Sequence, residues 1–498
     1  MSQSHSSRPE KIGLPYWLDR VLEEHSKLGR ELSPKPVHDL RVALRRCILI
    51  ADVMRDVDPG GDWKAMRKAA RRIFQRLGGL RDTQVLAEWI EKLRSSDDAS
   101  ADLLLESLKA RQVKDRAAAQ DALNEFDRRQ WRAWTKELSN HYRHVASNRS
   151  ACESLVFEIW ENLRDLHRIA QKSRSRIAYH RLRVGLKKFR YAAENFLPSM
   201  YSGWSPDLKL LQDMLGEVHD LSVLEQAIAK DRRLSSETAR AAWISRLQQE
   251  RDSRIRQYRA RMAGKSSPLS VWREGFPPER ELRAAGLSRL AEWGYFLTPD
   301  FQRVRRVARL SLQLYDGLAN RGWMDHDSHI QGRLILHAAA LLQEVGRFKA
   351  GKGHHKQSYR MIRKIAPPPG WSKKDLELVA LIARFHRRAL PRLDHKILSR
   401  HEISLRHSLV LLAAILRFAN AFHAKPYRAV RRLEVEESSG VIIVRADGFP
   451  DREPLTAKLS VARRLMEFAC HRAVHILAPG TRMMSPRIVR PVTRSSVA

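Results

Sequence analysis

His38, Arg41 and Arg45 recur as His180, Arg183 and Lys187, 142 positions further along the chain. Spacings of three and four place each trio on one stripe of a helix. Such a stripe covers roughly 10 Å at 1.5 Å per residue, long enough to meet several successive phosphates. Pro34 and Pro36 place the start of the first helix just before His38, since proline suits a first helical turn. Cations there oppose the helix dipole, and an anionic ligand would relieve the repulsion and use the dipole as well. For either copy alone, a solvated basic face is the simpler explanation. Two copies with matched stripes favour a binding surface for a polyanion. The two histidines, titrating near 6.5 when unperturbed, predict that such binding depends on pH.

The elements carrying these stripes are legible from apolar spacing. Val37, Leu40, Leu44, Cys47 and Ala51 share one helical face, and Tyr179, Leu182, Leu186, Phe189 and Ala193 repeat it. Each basic stripe lies about a quarter-turn from that face, at the edge of the core. Beyond the break at Asp58-Pro59-Gly60-Gly61, a second dense basic face follows: Lys64, Arg67, Lys68, Arg71 and Arg72. Like charges at helical spacing repel, which again favours an anionic partner. That helix is expected to end at Gly78, with the next capped by Asp82, and Gly216 and Asp220 repeat the pattern 138 positions later. These four positions read as structural punctuation, and the duplication spans a unit of several helices.

With 498 residues, 43% hydrophobic and 30% charged, the chain is globular and long enough for two to four domains. Its net charge of +36 calls for a polyanionic partner: nucleic acid, an anionic membrane or polyphosphate. Cys47, Cys152 and Cys470 make no metal-binding spacing and read as reduced thiols. The first twelve residues do not resemble a signal peptide, and no 18-residue run is uninterruptedly apolar. A soluble cytoplasmic protein is expected.

The order His-x-x-Arg-Val at 38–42, Arg183-Val184, Lys-Lys-Phe-Arg-Tyr-Ala-Ala-Glu at 187–194, and Leu-Gly-x-x-x-Asp at 77–82 and 215–220 resembles the CHAD family of histidine-containing α-helical domains. The resemblance covers roughly residues 10–261, with repeats at about 13–140 and 150–260. It implies two pseudo-symmetric helical bundles around a basic central groove that binds inorganic polyphosphate. By position, it assigns binding to His38, Arg41, Arg45, Arg46, His180, Arg183, Lys187, Lys188 and Arg190, with Tyr191 walling the groove. The basic face of Arg67, Lys68 and Arg71 joins this set.

Residues 262–290 have the composition of a linker. Helices are expected at 301–319, 331–348, 374–387, 404–423 and 457–476, with a β-hairpin turning at 437–440 and a loose basic tail at 479–498. Within 291–478, Ala339 to Gly346, Gly353 to Tyr359, Ala383 to Arg388 and Ile415 to Asn420 resemble the C-terminal HD-type domain of the exopolyphosphatase/guanosine pentaphosphate phosphatase family. No glycine-rich phosphate loop or alternating β/α pattern corresponds to that family's actin-like catalytic domain.

An active HD site needs a histidine, a His-Asp pair and a distant aspartate around a divalent ion. This sequence has Arg303, Gln343-Glu344 and Asn420 instead. The domain is therefore expected to have lost hydrolysis, with no metal and no cofactor. The remaining basic residues Arg347, His354, His355, Lys356, Arg384, His386 and Arg387 read either as a solvated loop or as auxiliary phosphate contacts; His354-His355 as metal ligands is the weaker reading, because adjacent side chains diverge and their other neighbours are cationic. The expected fold is all-α: two pseudo-symmetric bundles, then an HD-like helical domain with a small C-terminal hairpin. The expected partner is inorganic polyphosphate, with polyphosphate granules as a candidate location and no membrane. One alternative is a phosphohydrolase acting on polyphosphate or guanosine pentaphosphate through an atypical HD-like site. Nucleic-acid binding is suggested by charge only, for the stripes lack interleaved aromatics for base stacking.

Overall fold

The computed structural model describes residues 12–28, 32–96, 98–173, 175–231, 233–234, 236–322, 329–450 and 454–481. The chain forms two compact units, Met1–Leu297 with Ala366–Ser372, and Thr298–Ile365 with Lys373–Ala498. The architecture is all-α with a small C-terminal sheet.

The first unit is a duplicated helical array. Helices α1 (Leu14–Lys27), α2 (Pro34–Met54), α3 (Trp63–Leu93) and α4 (Ala99–Asn124) pack in sequence, each on the next. After α5 (Arg128–Ala146), the helices α6 (Arg149–Ser173), α7 (Arg176–Phe196), α8 (Pro198–Lys230) and α9 (Glu237–Arg261) repeat that order. The copies meet where α2 packs on α7 and α3 on α8. The apolar faces read from the sequence form the core, with Leu40, Leu44, Cys47, Leu182, Leu186 and Phe189 all buried.

Helix α3 runs unbroken through Gly78 and Gly79, and α8 through Gly216. The expected helix ends at these glycines, and the aspartate caps at 82 and 220, are therefore corrected. A helical glycine costs about 1 kcal/mol relative to alanine, and packing on both sides offsets it. Leu77 and Leu80 lie in the main core. Leu86, Trp89 and Ile90 form a second, smaller core with Leu104, Leu221, Leu224 and Trp243. The long helices α3 and α8 thus bridge two apolar clusters. Arg81, Asp82, His219 and Asp220 fall at the junction between them.

The stretch 262–290 is not an open linker. It holds α10 (Pro268–Glu274) and the start of α11 (Glu279–Leu297), which packs on α6. Trp272, Phe276 and Leu282 anchor it in the main core, so its prolines and glycines shape corners between short helices.

In the second unit, α12 (Phe301–Ala319) packs on α13 (His329–Leu342) and on α16 (Ile403–Ala421). Helix α16 is the one described helix long and apolar enough to cross a bilayer by length and composition. Its residues Leu409, Val410 and Leu412–Leu416 are buried inside the unit, as in a core helix. The segment expected to stay helical to 348 ends at Leu342 and turns into a 3-10 stretch, Val345–Phe348. Gly353, at φ +76°, starts α14 (His354–Ile362), which is a helix instead of the expected loop. It packs on α15 (Lys373–Arg384). The hairpin pairs β1 (Arg432–Ser438) with β2 (Val441–Asp447), in register Val435 with Val444. The helix expected at 457–476 is shorter, α17 (Ala457–Cys470), and is followed by β3 (Val474–Leu477). This strand pairs parallel to β2, the crossover helix between them allowing it. The tail from 482 lies outside the described residues.

Candidate functional site

Arg41 is the best anchored of the first stripe, His38, Arg41 and Arg45. It is 8% exposed, donates from Nη1 to the Phe74 carbonyl at 2.8 Å and stacks over the Phe74 ring at 4.5 Å. Arg45 covers the same ring at 5.2 Å. Gly78 leaves room beside this seat, since a Cβ there would stand a tight 3.2 Å from Arg41 Nη1. The glycine expected to end a helix instead admits a guanidinium against one. Burial and the charge of Arg45 hold the Arg41 guanidinium down at about 10.

The second copy is less tied. Arg183 is lowered by burial, and its Nε has no hydrogen-bond partner among the described residues. Burial, then Arg183 and Arg45, push Lys187 down to about 6. His180 Nδ1 and His219 Nδ1 are 3.1 Å apart, so one must donate to the other. Burial and Arg183 press His219 to about 3. His38 and His180 are lowered as well, by burial first and then by neighbouring cations.

These perturbations cross between copies. Arg45 and Arg41 act on Lys187, while Arg45 and Asp82 act on Arg183. The cations of α2 and α7 therefore converge on one place, where α3 and α8 add Arg81, Asp82, His219 and Asp220. Burial raises both aspartates, against the pull of Arg41 and Arg111 on Asp82 and of Arg183 and Lys187 on Asp220. A cluster of crowded, partly desolvated cations with strained protonation is suited to take up a polyanion. The four residues from α3 and α8 were missed as site residues. Their signal was the 138-residue offset itself, which aligns Arg81 with His219 and Asp82 with Asp220.

Other assigned residues lie elsewhere. Arg46 makes a two-pronged bond to Glu194 at 3.0 and 2.9 Å and stacks over Trp17 and Tyr191. At 8% exposure it is a structural tie between α2 and α7. Tyr191 is 4% exposed, part of the core beneath the cluster and not a groove wall. Arg190 donates to Gln212 at 3.0 Å and to the Tyr201 hydroxyl at 3.3 Å. Lys188 is exposed and its charge acts on Asp56, away from the cluster. Arg67, Lys68 and Arg71 line a separate shallow pocket of about 740 Å³ with Lys64, Arg72 and Arg76. There Arg67 already pairs with Asp52 at 2.5 Å.

The second unit divides its basic residues between two pockets. One of about 540 Å³ is lined by Arg303, Glu344, Arg347, His386, Arg387, Arg388, Arg417, Asn420 and Lys458. The other, about 420 Å³, takes His355, Lys356 and Arg384. Three positions of an ordinary HD metal set, those held by Arg303, Gln343 and Asn420, do not fit an ion. Gln343 bonds to the Ala340 carbonyl, and Asn420 donates to Gln343 Oε1 at 2.6 Å and to the Leu416 carbonyl. Their polar atoms satisfy one another, and Arg303 carries a fixed positive charge. His354 and His386 also differ from the phosphate donors expected. Nδ1 of each faces a backbone carbonyl, Gly351 at 3.2 Å and Ala383 at 2.7 Å. A carbonyl only accepts, so each Nδ1 carries the proton and Nε2 presents a lone pair.

Residues 17–229 match the family model of the CHAD domain, and residues 283–449 match that of the Ppx/GppA phosphatase, domain III. No curated protein matches the chain.

Proposed function

We propose that this chain, a CHAD domain followed by a Ppx/GppA phosphatase domain III, binds inorganic polyphosphate without hydrolysing it. Both family matches point to a polyphosphate-related role and a polyphosphate-related partner. The observation that carries the finer reading is the convergence of Arg41, Arg45, Arg183 and Lys187, from both copies, on one partly buried cluster. Such a cluster is costly without a counter-ion, and successive phosphates supply several at once. His38, His180, Arg81 and His219 extend it. In the second unit, Arg347 and Arg387 in one pocket, and Lys356 and Arg384 in the other, offer auxiliary phosphate contacts. The interlocked Gln343 and Asn420 support a binding role there over hydrolysis.

The test replaces Arg41, Arg45, Arg183 and Lys187 together in the full chain and measures polyphosphate binding against salt. For a flexible polyanion, log K falls against log salt by about 0.7 per neutralised phosphate. The variant should bind far more weakly, with a slope shallower by about 0.7 for each phosphate it no longer neutralises. Unchanged binding with an unchanged circular dichroism spectrum would overturn the assignment. Competition by RNA of equal charge separates a polyphosphate site from a general polyanion surface. Sustained phosphate release from polyphosphate or guanosine pentaphosphate would move the reading to the phosphohydrolase.

A further inference from the structure

Glu344, His354 and His386 come together in the second unit although 42 residues separate the first from the last. One ligand atom from each lies within 4.8 Å of the others. Glu344 and His354 are 2% exposed and His386 is 5% exposed. The Nε2 atoms of both histidines are buried and have no hydrogen-bond partner among the described residues. Leaving a buried acceptor unpaired is costly, and here two such atoms stand beside a carboxylate.

Local structure fixes these ligands in place. His354 opens α14 after the left-handed Gly353. His386 follows the end of α15, in a turn whose carbonyls, Phe385, Arg388 and Ala389, are held by Arg417. The two imidazoles stack with centroids 5.4 Å apart. Each Nδ1–H is held by a backbone carbonyl, the outer-shell bond that directs Nε2 toward an ion. Glu344 is oriented by Arg303, which reaches Oε1 at 2.8 Å and Oε2 at 2.9 Å, and by Arg347, which reaches Oε2 at 3.0 Å. A carboxylate has about four lone-pair positions, so these three contacts leave one, on Oε1, for a metal bond.

We propose that Glu344, His354 Nε2 and His386 Nε2 form a site for a zinc-class divalent metal, whose open coordination positions face the arginine-lined pocket and bind together with a phosphate oxyanion. Two imidazoles and one carboxylate are a three-ligand set with a free fourth position, and borderline nitrogen ligands select transition metals over magnesium. Ligand atoms on a tetrahedral ion with bonds of about 2.0–2.1 Å sit about 3.4 Å apart, so modest side-chain closure completes the set. Charge makes the oxyanion necessary. Arg303, Arg347, Arg387, Arg388, Arg417 and Lys458 surround a single carboxylate in the pocket, and they would repel a lone dication. A phosphate group bridging the ion and the guanidinium groups removes that repulsion. An anion alone would leave both Nε2 lone pairs facing it. The site is independent of the cluster in the first unit, so failure there leaves it standing.

The experiment titrates the full chain with Zn²⁺, with and without inorganic phosphate, and uses Co²⁺ absorption in the visible range to report on imidazole coordination. One equivalent should bind. Phosphate should tighten it by about 5- to 150-fold, the usual span of coupling between two ligands, and metal should tighten phosphate by the same factor. His354→Ala and Glu344→Gln should each weaken metal binding by at least about 10–100-fold, the size known for outer-shell changes alone. His407→Ala, an exposed histidine of the same unit, should bind as the parent does. Circular dichroism checks each fold, and His354→Ala carries the test where His386→Ala does not fold. Zinc binding that survives His354→Ala in a folded chain overturns the proposal, as does no bound equivalent with phosphate present. An affinity indifferent to phosphate overturns the joint site.

Discussion

Lys187 should make polyphosphate binding rise steeply as the solution is acidified from pH 8 to pH 6. In the free chain its pKa is pushed down to about 6 from the usual 10.5, by burial and then by Arg183 and Arg45. At pH 8 it is mostly neutral and contributes no charge. A phosphate chain over the cluster supplies the missing counter-charge and draws the pKa back up. The complex then holds a proton that the free chain lacks, so affinity increases as pH falls from the bound value toward the free one. It levels off below about 6, where both states are protonated. Each pKa unit is worth about 1.36 kcal/mol, a factor of ten. From pH 8 to pH 6 the gain from this one residue is therefore about one to two decades. Isothermal titration in buffers of differing ionisation enthalpy should record nearly one proton taken up per site at pH 8. Lys187→Arg keeps the charge but does not titrate in this range, so it should bind more tightly than the parent at pH 8 and lose most of the slope. The sequence placed this dependence on His38 and His180, and their double replacement by glutamine should leave the steep part in place. A Lys187→Arg variant with the parent's slope would refute the reasoning and return the effect to the histidines.

Asp82→Asn with Asp220→Asn should strengthen polyphosphate binding by up to about 1 kcal/mol per charge removed, since both aspartates offset the cluster's cations; a loss of affinity would mean that they hold the arginines in place. Arg46→Ala should destabilise the first unit by about 1–3 kcal/mol, because it leaves the part-buried Glu194 without its charge-assisted bonds; chemical denaturation measures this, and the folded fraction should still bind polyphosphate. Gly346→Ala should strongly destabilise the second unit, since a Cβ there would collide with the His354 carbonyl oxygen and lie 2.5 Å from the Ser358 nitrogen. Its thermal transition should fall, and an unchanged one would disprove the close approach.

The sequence by itself determined the helical architecture, the duplication and the cationic character of the site. Periodicity is local: the spacing of Val37, Leu40 and Leu44 decides which face is buried wherever that face ends up. The chemistry of Arg41, Arg45, Arg183 and Lys187 could be read for the same reason, because a residue at the edge of an apolar face lies at the edge of a core. Helix boundaries at Gly78 and Gly216 were misread, since glycine reports a local propensity that long-range packing overrides. Only tertiary structure showed that Gly78 makes room for a guanidinium. The division of labour among neighbouring cations was equally tertiary. Arg45 and Arg46 are adjacent in sequence, yet one faces the cluster and the other is locked to Glu194, a partner 148 residues away. The meeting of Glu344, His354 and His386 was likewise invisible in the chain. A ligand set is defined by distances of a few ångströms between atoms, and the turn after Gly346, the start of α14 and the end of α15 create those distances only once they pack.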